Sequence, residues 1–120
     1  MSERPIQLVV NVPEEEEGDL WAVRASMAEL GLDVEVAFAI SDLAVAVKHG
    51  TVDIAIVDLS LPGAVEAVEA IRRRATVPLR LASMRFWKRP VPDPPAWAER
   101  HLEYGDADYF ARLVADFVRS

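Results

Sequence analysis

The period of apolar positions switches repeatedly between two and about 3.6 along this chain, so strands and helices are predicted to alternate. Residues 6–12 form an apolar run that stops at Pro13, which predicts a first strand. Over 19–30, Leu20, Val23, Met27 and Leu30 fall three and four apart and make one helix face apolar, with Gly31 suited to end it. Val34, Val36 and Phe38 alternate with Glu35, the pattern of a half-exposed edge strand. Ser41 is placed to cap a short helix over 42–49 that Gly50 ends. Residues 52–58 carry the unbroken run Ile54-Ala55-Ile56-Val57 before Asp58, and a strand buried on both faces reads this way. A helix over 64–74 follows. It starts with Glu66 and Glu69, ends with Arg72 to Arg74, and turns Val65, Val68 and Ile71 inward.

Residues 77–84 predict a fourth strand. The next stretch, 85–95, holds four prolines, which continue neither a ladder nor a helix interior. A loop or single helical turn over 93–98 and a fifth strand over 100–104 are expected. Asp106 then caps a helix with Tyr109, Phe110, Leu113, Val114 and Phe117 on one stripe. Strands separated by helices imply a parallel sheet covered on both faces. Right-handed crossovers give an α/β, flavodoxin-like, three-layer α/β/α sandwich of order 2-1-3-4-5. Its fourth helix is shortened or replaced by the proline-rich loop. Residues 1–120 read as a single domain.

An apolar fraction of 52% is enough for a core, so the chain is expected to fold unaided. The absence of cysteine excludes disulfides, thiolate metal sites and cysteine nucleophiles, and fits a reducing compartment. No apolar stretch approaches the ~20 residues that span a bilayer, and Met1 to Pro5 lacks the features of a signal peptide. A cytoplasmic protein without membrane contact is expected. The net charge of −7 repels phosphate backbones, and the one basic run, Arg72 to Arg74, closes a helix, so nucleic acid is not an expected partner.

Candidate chemistry centres on Asp58, where a central strand ends and Leu59-Ser60-Leu61-Pro62-Gly63 begins. Open α/β sheets place their ligands at that edge. The order strand, Asp, two residues, Leu-Pro-Gly resembles the phosphoacceptor segment of response-regulator receiver domains. Ser83, predicted to end the fourth strand, matches the hydroxyl that contacts the phosphoryl group in that family. The resemblance implies phosphorylation by a histidine kinase with Mg²⁺, which needs hard oxygen ligands. The family's acid pair is matched here by Asn11 and Val12, and only Asn11 offers an oxygen. The implied metal set is therefore Asn11 and Asp58 with Glu14, Glu15 or Glu16 reaching in, whereas a solvated loop is the commoner meaning of such an acidic run.

The family's lysine after the fifth strand is missing, because Tyr104-Gly105 stands in its place. A frame that substitutes Arg112 breaks the helical stripe and is rejected. The resemblance is thus to a degenerate, or pseudo-, receiver: a non-enzymatic signalling module of protein–protein contacts, with phosphorylation of Asp58 weak or absent. A histidine kinase or downstream effector is its expected partner, and a homodimer is a further option.

Each residue has a plainer reading. Asp58 also suits a cap of the turn or the next helix, and Ser83 a hydroxyl satisfied by backbone. His49 reads as a helix C-terminal cation, and His101 has no ligand partner at metal spacing. Arg85, Lys88 and Arg89 offer cations for a phosphate, with a solvated loop the commoner meaning. Trp87 and Trp97, with Tyr104, are candidates for a partner surface. Equally, the tryptophans can seal a sheet edge left bare by a missing helix. The C-terminal third also resembles TIR domains, through its proline-rich loop, Trp97, the strand His101-Leu102-Glu103-Tyr104 and the acidic cap. The helix that would carry a catalytic glutamate offers Glu66 and Glu69 without the family's surroundings. That resemblance implies an assembly module rather than an NAD hydrolase.

Overall fold

A computed structural model describes residues 4–12, 17–86 and 89–120 of the chain. The elements run β1 (Ile6–Val9), α1 (Glu17–Glu29), β2 (Val34–Ala37), α2 (Ile40–Lys48), β3 (Ile54–Asp58), α3 (Ala64–Arg74), β4 (Arg80–Phe86), β5 (His101–Tyr104) and α4 (Ala107–Arg119). All strand pairs are parallel and the sheet order is β2-β1-β3-β4-β5. This is the flavodoxin-like sandwich expected from the sequence, with four helices among the described residues. No helix among the described residues is long and apolar enough to cross a membrane.

The sheet separates two cores. Leu8, Val10, Ile56, Ala82 and Met84 face Leu20, Val23 and Met27 of α1 and Phe110, Val114 and Phe117 of α4. Val9, Ala55, Val57 and Leu81 face Leu43 and Val47 of α2 and Ala64 and Val68 of α3. The two middle strands are therefore buried on both sides, which is why their sequence is continuously apolar. The edge strands β2 and β5 have only four residues each and turn Glu35 and Glu103 to solvent.

Local endings follow the backbone. Gly31 and Gly50 adopt left-handed φ of 78° and 68° after α1 and α2, where a side chain would be strained. Asp106 accepts the Tyr109 amide and caps α4 as expected. Ser41 does not cap α2. The helix begins two residues earlier than expected, at Ile40, with extended Ala39 in front of it and no side-chain cap. Tyr109 is 58% exposed. The 3.6-residue turn brings Ala111 inward instead, beside Phe110 and Val114. β4 lies two to three residues later than expected, because Pro78 has no amide to donate to a ladder.

No helix bridges β4 and β5 among the described residues. Trp97 takes part of its place, buried against the α2–α3 core and donating its indole N–H to the Val65 carbonyl at 2.9 Å. Trp97 is thus a seal within the fold, not a partner surface. Tyr104 is likewise buried, its ring between Phe86 (5.0 Å) and Phe110 (5.2 Å). Burial, with Asp19 and Asp106 nearby, pushes its phenol up to about 12. Trp87 lies outside the described residues.

Trp97→Ala is expected to cost about 3 kcal/mol through the cavity it leaves, and Trp97→Phe about 1 kcal/mol for the lost hydrogen bond. Urea unfolding of the two variants measures both. A Trp97→Phe variant as stable as the unaltered protein would show that the indole N–H contributes nothing.

Candidate functional site

β1 and β3 are neighbours in register, Val9 beside Val57, so the residues that follow them meet at the carboxyl edge of the sheet. Asp58 is fully buried there. One carboxylate oxygen accepts the Asn11 amide at 3.0 Å. The other accepts the Ser60 amide at 2.9 Å and the Ser60 hydroxyl at 2.8 Å. A buried carboxylate needs such donors, since an unpaired one would be costly. The Asx-type turn they make also orients Ser60, whose carbonyl accepts the Asn11 side-chain amide at 3.3 Å. Asp58 is therefore a pin between the end of β1 and the turn after β3.

A cleft of about 330 Å³ opens above this pin, lined by Asn11, Val12, Ser60 and Arg89. Arg89 donates to the Asn11 carbonyl, and its guanidinium sits 5.1 Å from the centre of the Phe86 ring. The sequence presents Arg89 as one cation of a solvated loop. The fold brings it 78 positions back along the chain, to the edge beside Asp58.

The described residues do not suit Mg²⁺. Among the described residues the cleft lining holds no carboxylate, the two oxygens of buried Asp58 beside it already accept three donors, and the Asn11 carbonyl faces a guanidinium. Mg²⁺ demands several oxygen ligands in near-octahedral order. No group of three metal-binding side chains occurs among the described residues, and Glu14 lies outside them.

Ser83 does not face Asp58 as expected. β4 continues to Phe86, so Ser83 lies within the strand and pairs with Val57, while Asp58 pairs with Met84. Alternation turns Ser83 with Leu81 toward α2 and α3, and Asp58 with Ile56 toward α1 and α4. No hydrogen bond joins the two side chains. The Ser83 hydroxyl instead shares a 2.7 Å hydrogen bond with His101 Nδ1 on β5. Arg85 and Glu103 pair alongside them, on the face where the absent helix would pack. Burial first, then the charge of Arg85, hold the His101 imidazole below its ordinary value, with Glu103 opposing.

Of the other candidates, His49 caps the end of α2. Arg112 is exposed mid-helix on α4, which agrees with rejecting it as a replacement lysine. Glu69 is held by Arg72 and Arg73, whose hydrogen bonds and charges keep its carboxyl below the usual range despite some desolvation. Among the described residues the large exposed aromatics are Trp21, Phe38 and Tyr109 rather than Trp97. Trp21 reads from sequence as an outward position on α1 and gives no further signal.

No family model and no curated protein matches the sequence. Solved structures do match the fold. A response regulator from Thermotoga maritima superposes with a TM-score of 0.71 at 16% identity, over 98% of this chain and 100% of that one. The response regulator protein TrrA, solved in complex with histidine kinase ThkA, gives 0.66 at 16% identity, over 97% of this chain and 99% of that chain. A Francisella novicida lysine decarboxylase, LdcF, gives 0.68 at 11% identity, with 97% of this chain covering 17% of that chain. The fold is therefore the receiver-type flavodoxin-like fold. That it also occurs as a small part of a decarboxylase shows that fold alone does not fix activity.

Asp58→Ala is expected to destabilise the protein by about 3 kcal/mol, since it strands buried donors that served a charged acceptor. Urea unfolding checks it, and a loss below about 1 kcal/mol would deny the pin. For His101 the sign follows from its lowered native value. Below pH 6.5 the unfolded chain takes up a proton that the folded chain resists. Stability contributed by neutral His101 is complete above pH 6.5 and declines as the solution is acidified from there. His101→Gln should flatten that decline in thermal melts across the range.

Proposed function

We propose that this chain is a receiver-like signalling module that works through protein contacts, with Asp58 phosphorylated weakly or not at all. The observation that carries the reading is the engagement of Asp58. Three internal donors hold its carboxylate, it has no exposed surface, and the neighbouring Asn11 carbonyl is bound by a guanidinium. A phosphoacceptor must present a free oxygen in line with the donor, beside a cation that neutralises the developing charge. The described residues leave neither carboxylate oxygen without a donor, and the guanidinium at the cleft, Arg89, is engaged by the Asn11 carbonyl. The likeness to response regulators supports a place in two-component signalling, with a histidine kinase or an effector as partner. Ser83 is assigned to His101 rather than to a phosphoryl group. No enzymatic activity is proposed. Glu69, tied by two arginines on an exposed helix, is a poor general acid or base for a TIR-like NAD hydrolase.

Incubation with acetyl phosphate and Mg²⁺, read by intact mass, tests the proposal. The expected spectrum contains no phosphate adduct. An adduct that disappears in Asp58→Ala would make Asp58 a working acceptor and overturn the reading.

A further inference from the structure

A second opening lies away from Asp58, between α2 and α3. It is a groove of about 580 Å³ whose floor and walls are mainly Ala44 and Val47 from α2 and Ala67, Ala70 and Ile71 from α3. Lys48 and Arg74, which also line it, are the last residues of their helices. Both helices follow a strand of the same parallel sheet and return to its amino edge, so these two cations stand at one end of the groove. Neither is in an ion pair among the described residues, where the pairs are made by Arg4, Arg72, Arg73, Arg80 and Arg85. On a chain of net charge −7, an apolar channel with a basic end is an anomaly that calls for an acidic complement.

We propose that this groove receives an amphipathic helix from a partner protein, antiparallel to α2 and α3, with acidic residues in its first turn against Lys48 and Arg74. The reasons are geometric and electrostatic. Alanines along both walls let the ridge of another helix approach closely. The nine residues of α2 span about 14 Å, room for apolar anchors at i, i+3 or i+4, and i+7. Acidic side chains are favoured in the first turn of a helix, and its positive end would face the carbonyl ends of α2 and α3. A second copy of the chain is a poor occupant. The apolar stripes of α1 and α4 are already consumed by the sheet, and α2 and α3, which also begin with acidic residues, form the groove itself. Two cations on an acidic protein are too few for nucleic acid or a membrane surface. The inference rests on the contact-module reading and names the class of partner for it.

The probe is a helical peptide of about 14 residues with leucines at the anchor spacing and glutamates in the first turn, beside a twin carrying lysines there. Amide shifts in the isotope-labelled protein should be confined to α2 and α3 and should appear with the acidic peptide. Lys48→Glu combined with Arg74→Glu should weaken it about tenfold and favour the basic twin. Ala70→Trp, at an exposed position, should block the groove without moving the thermal midpoint. Equal binding of both peptides, shifts centred elsewhere, or no shifts at millimolar peptide would overturn the proposal. So would a dimer of the unmodified protein that the charge-reversed double variant dissolves. Efficient phosphate uptake at Asp58 sinks the reading of that site whatever the peptides do. An inert Asp58 with a silent groove sinks this inference alone.

Discussion

A carboxylate without solvent has to be solvated by the protein, and the carboxyl edge of this sheet is organised around that requirement. Asp58 draws one amide from the end of β1 and two donors from the turn after β3. Because β1 and β3 are central neighbours, these three hydrogen bonds fix how the two loops leave the sheet. Arg89 then braces the same corner from the far side of β4. The residue that closes the central strand is here engaged on both carboxylate oxygens by the fold itself.

The second constraint is the crossing from β4 to β5. A parallel pair needs a long connection, usually helical, but residues 90–95 are mostly proline. One indole fills part of the missing layer, and the uncovered strand face turns polar. Ser83, His101, Arg85 and Glu103 form a hydrogen-bonded and charged surface where a helix would bury aliphatic residues. The burial of β5 alternates accordingly, with Leu102 and Tyr104 inward and Glu103 outward.

Element order, parallel pairing, the bounds of α3 and the Asp106 cap were legible because each is a local pattern of period or capping. The ends of β1 and β4 were not. An apolar run does not show where its neighbour stops, and β1 pairs only as far as Val9 because β2 ends at Ala37. Pro78 carried the information that β4 starts later, but Val77 and Leu79 around it read as strand. Asp58 was legible as a turn residue and as an acceptor, and only the tertiary donors separate the two. Ser83 was misplaced because its strand runs past it, which changes its neighbours. Trp97 was read evenly as a partner surface and as a seal for a bare sheet edge, and Tyr104 as surface, since aromatic residues suit a pocket and an interface alike. Arg89 was legible as one cation of a basic loop, and its reach to the Asn11 carbonyl had no sequence signal.

The brevity of the two outermost strands has its own consequence. β2 and β5 offer four residues each, and each points a glutamate outward. Short, negatively marked margins are weak templates for an incoming backbone. Growth of the sheet by annexing a foreign strand is thereby discouraged, and visitors are steered toward the helical flanks.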